Sequence, residues 1–225
     1  KENALSRNRS VLENNANVDV ELWNKIVELG WTGIRIPEEY SGLGLGHLEL
    51  CVIAEELGRF LAPVPFSSSV YLFTEAIINY ANDDIKKEIL PKLVSGEVIG
   101  TLAVAEDLQA PTADNISLQS DNNILNGKKI AVPDAEIATH AIVVAKTSSG
   151  ISLQLVDLNA DGVKIEKQEN IDESRGYFSI LFENSPSKLI GDETGGWDLY
   201  EALMNQAAVL FLSLIHISEP TRLTR

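Results

Sequence analysis

Acid–base and nucleophilic chemistry needs a carboxylate, histidine or cysteine held away from water. Along these 225 residues there are three histidines and one cysteine, and the 33 Asp and Glu are scattered. Adjacent glutamates occur at Glu38-Glu39 and Glu55-Glu56. Both pairs read as surface or capping groups, because ionised side chains are almost never fully buried without a partner. Cys51, the single cysteine, lies in an apolar helical pattern and reads as a small buried hydrophobe. It excludes a disulfide framework and any cysteine-rich metal site. His47, His140 and His216 stand apart, with no carboxylate or cysteine at metal-ligand spacing, so no metal site is expected. No catalytic residue is assigned on residue type alone.

The formal net charge of -15 is the wrong sign for a nucleic-acid or anionic-membrane partner, since both draw their affinity from cations. The longest apolar run, Ala207 to Ile215, is far below the ~20 residues of a bilayer-spanning helix. The amino terminus has neither an initiating Met nor a charged-then-apolar signal pattern. A cytoplasmic location is the expectation. With 44% hydrophobic and 23% charged residues the chain is expected to be globular rather than disordered.

The elements that must position any site fall into two textures. In the first, Asp19 is placed to cap a helix bearing Leu22, Trp23, Ile26 and Val27, with Gly30 as its stop. A turn-rich stretch over 36–46 leads to a second helix, with Leu48, Val52, Ile53 and Leu57 at helical spacing. A third is expected after the serines at 67–69, reaching Tyr80. Asn82 should cap a fourth, which Pro91 should kink or shorten.

From Val98 the runs become short and rich in Val and Ile. Examples are Ala141-Ile142-Val143-Val144, Ser152-Leu153-Gln154-Leu155-Val156 and Phe178-Ser179-Ile180-Leu181-Phe182, separated by turn signals such as Asn126-Gly127 and Asp161-Gly162. Helical patterning returns at Trp197. The fold class expected is therefore α+β. An all-α helical domain spans 1–97, an antiparallel β-domain 98–190, and the start of a further helical bundle 195–212. Residues 213–225 read as a non-native tail, with a disordered natural tail as the alternative.

Several motifs, in order, resemble the acyl-CoA dehydrogenase family. Leu22-Trp23 through Leu29-Gly30-Trp31-Thr32-Gly33-Ile34, then Ile36-Pro37-Glu38-Glu39-Tyr40-Ser41-Gly42-Leu43-Gly44, is similar to its "W…LGW.GI..PEEYGGLG" segment, with Ser41 for a glycine. Glu55-Glu56-Leu57-Gly58-Arg59 with Pro63 and Pro65, and Leu90-Pro91-Lys92-Leu93-Val94-Ser95-Gly96-Glu97, resemble its "EELGR…P.P" and "LP.L..GE" elements. Asn126-Gly127-Lys128-Lys129, Asp172-Glu173-Ser174-Arg175, and Leu189-Ile190-Gly191 with Gly195-Gly196 follow in the family's order.

The resemblance implies FAD as cofactor, an acyl-CoA substrate, and an electron-transfer flavoprotein as electron acceptor. It also implies assembly into a homo- or hetero-oligomer of homologous subunits. The α-proton would go to a glutamate base in the carboxy-terminal helical domain, which this chain lacks beyond its opening helix. Two flavin-facing segments map here onto Leu102, Val104 and Ala105, and onto Ala131 and Pro133. In the first, Glu106 keeps the family's carboxylate while Ala105 replaces its hydroxyl residue. In the second, Ala131, Val132 and Pro133 stand where the family has an aromatic, an Ile or Val, and a Thr or Ser. Contacts are therefore expected through the backbone of Leu102, Val104 and Ala105, while Ala131 removes a ring and Pro133 a backbone donor. A non-catalytic partner subunit of a heteromeric dehydrogenase is the second reading. A flavin monooxygenase of the same fold, or an unrelated helical-plus-β protein, stands behind it.

Overall fold

The computed structural model describes residues 4–13, 16–171 and 175–216. The helical part comprises α1 (Ala4–Glu13), α2 (Val20–Glu28), α3 (His47–Arg59), a π-helix (Ser67–Thr74) running directly into α4 (Glu75–Tyr80), and α5 (Asp83–Val94). The Asp19 carboxylate accepts the Leu22 N–H at 2.9 Å, and the Asn82 side chain accepts that of Ile85 at 2.9 Å. Both fill orphan donors of a first turn. Pro91 neither ends nor shortens α5. The carbonyl it leaves unbonded belongs to exposed Lys87, within reach of water.

The serines expected to precede the third helix lie inside it. Ser68 and Ser69 are buried, and their hydroxyls find partners across the domain boundary. Ser68 donates to Asp134 Oδ2 at 2.6 Å and Ser69 accepts the Gly100 N–H at 3.2 Å. A buried hydroxyl so satisfied is compatible with a helix interior.

Among the described residues eight strands form one sheet: β1 (Gly100–Ala103), β2 (Gln119–Asp121), β3 (Ile124–Pro133), β4 (His140–Lys146), β5 (Ile151–Asp157), β6 (Val163–Gln168), β7 (Tyr177–Pro186) and β8 (Lys188–Ile190). The order is β6-β7-β3-β2-β4-β5-β8, with β1 alongside β4. Pairings are antiparallel except β1 with β4 and the short β2 with β4. β4 is buried on both faces, which explains its unbroken apolar run. Ile142 and Val144 join Phe73, Ile77, Ile89 and Leu203 in the core between sheet and helices. Ala141, Val143 and Ala145 join Leu125, Val156, Phe178, Ile180 and Phe182 on the other face. Gly100 has no room for a side chain, because a Cβ there would lie 1.9 Å from Phe73 Cγ.

The last helix, α6 (Gly196–His216), runs beyond residue 212. Leu210 is buried in the core formed by Trp23, Ile26, Leu50, Phe66 and Tyr71, and Leu214 packs against it, so the tertiary contacts carry the helix on. Residues 217–225 of the expected tail, and Asp172, Glu173 and Ser174 of the Asp-Glu-Ser-Arg motif, lie outside the described residues.

Candidate functional site

The two segments mapped to a flavin, far apart in sequence, are brought side by side at one end of β1 and β3. Leu102 lies in β1, buried towards the helices, in register with Ile142. Beyond the strand, the Ala105 carbonyl accepts the Ile130 N–H at 2.8 Å, and the Val104 carbonyl accepts from Lys129 Nζ at 2.8 Å. Thr101 Oγ1 donates to the Pro133 carbonyl at 2.6 Å. These carbonyls are already engaged, so they serve first to fasten the two segments to each other.

Lys129 is the centre of that fastening. Its ammonium is wholly buried and meets Glu106 Oε1 at 2.7 Å. Glu106 also accepts the N–H groups of Ser117 at 2.8 Å and Leu118 at 3.0 Å, and the Ser117 hydroxyl. Burial brings the Lys129 pKa down to about 8, against the pull of Glu106. For Glu106, burial raises the pKa, but the hydrogen bonds from Lys129, Ser117 and Leu118 outweigh it and leave the carboxyl below its ordinary value. Lys129 carries no signal of this burial in the sequence beyond its place in the Asn-Gly-Lys-Lys turn.

Ala131 sits in a β-bulge between Lys129 and Val132, exposed, with φ 51°. Its N–H donates to Gln168 Oε1 at 2.7 Å. A methyl group in the left-handed region is strained by ~1–2 kcal/mol, and glycine relieves this at some entropic cost. Ala131→Gly is expected to stabilise the protein by about 0.5–1 kcal/mol. The check is a higher urea midpoint with an unchanged slope. A lower midpoint would mean that the methyl makes contacts worth more than the strain.

Directly after β3, Asp134 (φ 56°) is buried and takes Ser68 Oγ at 2.6 Å and Arg175 Nη2 at 3.2 Å on the same oxygen. Asp134 and Arg175, with Asn17 and Ser67, are the polar residues lining a cavity of about 440 Å³. Its walls are otherwise mostly apolar, from Leu57, Leu61, Val64, Phe66, Tyr71 and Leu214. The Tyr71 hydroxyl is buried without a hydrogen-bond partner among the described residues, and burial pushes its pKa upward, so it stays neutral.

A second buried carboxylate, Glu75, has no exposure. Arg35 Nε reaches it at 2.7 Å, Gln206 Nε2 at 2.6 Å and His47 Nε2 at 3.4 Å. It joins α3, α4, α6 and the turn after α2. Of the glutamates read as surface or capping groups, Glu38, Glu39 and Glu56 are exposed, Glu55 is half-buried, and none of them lines the cavity. Cys51 is only partly buried, at the edge of the first helical core. Among the described residues no group of three or more His, Cys, Asp or Glu could hold a metal, and no helix is long and apolar enough to cross a membrane.

As a frame for FAD, the backbone brings the two segments together at an exposed bulge, and only the following residue, Asp134, reaches the apolar cavity. The side chains of Ala131 and Pro133 add only a methyl group and a ring without an N–H.

Helices followed by this sheet and a returning helix define an α+β fold that is found in known proteins. Residues 2–97 match the family profile "Acyl-CoA dehydrogenase, N-terminal domain". The mitochondrial isovaleryl-CoA dehydrogenase of Solanum tuberosum is 30% identical over 179 residues, covering 74% of this chain and 43% of that protein. A variant of the Tcur3481-Tcur3483 steroid ACAD superposes with a TM-score of 0.79 at 25% identity, over 98% of this chain and 63% of that one. The butyryl-CoA dehydrogenase of Megasphaera elsdenii shares the fold, with a TM-score of 0.80 at 21% identity, over 88% of this chain and 57% of that one. The chain belongs to the acyl-CoA dehydrogenase family. It spans about half the length of the curated relatives it matches.

Proposed function

We propose that the protein to which this chain contributes a helical and a β part dehydrogenates an acyl-CoA thioester across Cα and Cβ. The observation that carries this reading is the meeting of the two segments at the exposed bulge of Ala131, with Asp134, the residue after Pro133, reaching into the apolar cavity. Leu57, Leu61, Val64, Phe66 and Tyr71 would surround the acyl chain and exclude water from it. Leu102, Val104, Ala105 and Ala131 would hold FAD through the backbone, with Pro133, whose carbonyl Thr101 already holds, closing the second segment. When bound, FAD supplies a two-electron acceptor for the Cβ hydride. The Cα proton would pass to a base from the part of the relatives' length that this chain does not span. Transfer of electrons onward to an electron-transfer flavoprotein, assembly with homologous subunits and a cytoplasmic setting complete the reading.

The test is to purify the full-length gene product, alone and with a homologous subunit, and add acyl-CoA anaerobically. A yellow protein whose flavin band bleaches on addition is the expected result. A product that stays colourless and indifferent to FAD in both preparations overturns the reading. Colour that requires the homologous subunit would instead support the non-catalytic partner role, which the bare side chains at Ala131 and Pro133 favour.

A further inference from the structure

We propose that Gln168 is an internal cap on the flavin-facing ridge, competing with the cofactor for the Ala131 N–H. This rests on the reading of that ridge as a flavin site. Gln168 ends β6, and Pro133 ends β3, with β7 between them. Gln168 and Pro133 are both in register with Tyr177, so the three form one row across the sheet. Two strand spacings place the backbones of Gln168 and Pro133 ~10 Å apart. The bulge takes Ala131 out of the ladder, and its N–H is met by Gln168 Oε1 at 2.7 Å.

The chemistry of the cap is that of the ligand it would exclude. A carboxamide presents a carbonyl acceptor next to an N–H donor. The pyrimidine edge of an isoalloxazine ring presents the same pair. Pro133 has no N–H, and its carbonyl is held by Thr101, so the Ala131 N–H is the donor that the second segment offers at this point. A flavin must displace Gln168 to reach it. The apparent affinity is then reduced by the fraction of molecules that are uncapped.

The experiment titrates the purified chain with FAD, and separately with riboflavin, following quenching of flavin fluorescence. Gln168→Ala is expected to bind about two- to tenfold more tightly than the parent, the range of one neutral hydrogen bond. Gln168→Glu, which keeps a stronger acceptor, is expected to bind more weakly. Hydrogen exchange at the Ala131 amide should accelerate in Gln168→Ala and not in Gln168→Glu. Circular dichroism establishes that both variants are folded. Equal affinities across the three proteins overturn the cap while leaving the flavin site standing. Absence of flavin binding to all three overturns both.

Discussion

Glu106→Ala is expected to destabilise the protein by about 3–5 kcal/mol, because it leaves the Lys129 ammonium buried with no counter-charge. For a chain of this size that is a fall in melting temperature of roughly 6–20 °C. Replacing both partners, as in Glu106→Leu with Lys129→Met, should recover most of the loss, since an apolar pair of similar volume carries no desolvation cost. A double substitution as unstable as the single one would refute this account. The pH dependence follows from the depressed Glu106 pKa. Its contribution is fully present above the unfolded carboxyl value of about 4.3 and is lost as pH falls through the folded value. Lys129 adds a penalty rather than a gain at neutral pH. Its folded value of about 8 lies below the unfolded one, so the unfolded chain binds more protons between the two. The penalty is therefore relieved, and stability rises, as pH climbs across that window. Unfolding of parent and Glu106→Gln from pH 3 to 10 should show their difference shrinking at the acid end.

Glu75→Ala is the second large effect expected, again about 3–5 kcal/mol, since Arg35 and Gln206 lose a fully buried acceptor. What distinguishes it from the first is where the damage falls. Glu75 tethers α6 to the earlier helices, so hydrogen exchange should rise along Leu203 to Leu210 before the sheet is affected. Uniform loss of protection across β4 and β5 would show that the tether is not local. Arg35→Met with Glu75→Met should restore protection in α6.

Much of this frame was legible in the sequence. Asp19 and Asn82 announce their helices because a capping side chain acts within three residues. The runs at Ala141–Val144 and Ser152–Val156 announce strands because their composition suits a surface buried on both sides. What was not legible depends on partners distant in the chain. The serines at 67–69 look like a helix boundary until Asp134 and Gly100 supply their hydrogen bonds. Glu75 interrupts an apolar run without revealing that Arg35 and Gln206 converge on it. The segments at Leu102–Ala105 and Ala131–Pro133 are mapped by resemblance, yet neither the bulge at Ala131 nor the Gln168 cap follows from local pattern. A bulge is set by pairing with β7, and the cap by β6 beyond it.

The strand order also bears on how the chain acquires its shape. β3 pairs with β7 from Ile124↔Pro186 to Pro133↔Tyr177, so its partner is made about fifty residues later. During synthesis at ~5–20 residues per second, β3 waits seconds with that edge open. Such non-local closure slows folding and exposes strand edges to other chains. The nascent protein is therefore most vulnerable to association just before β7 emerges, and a chaperone that shields β3 would act in that interval.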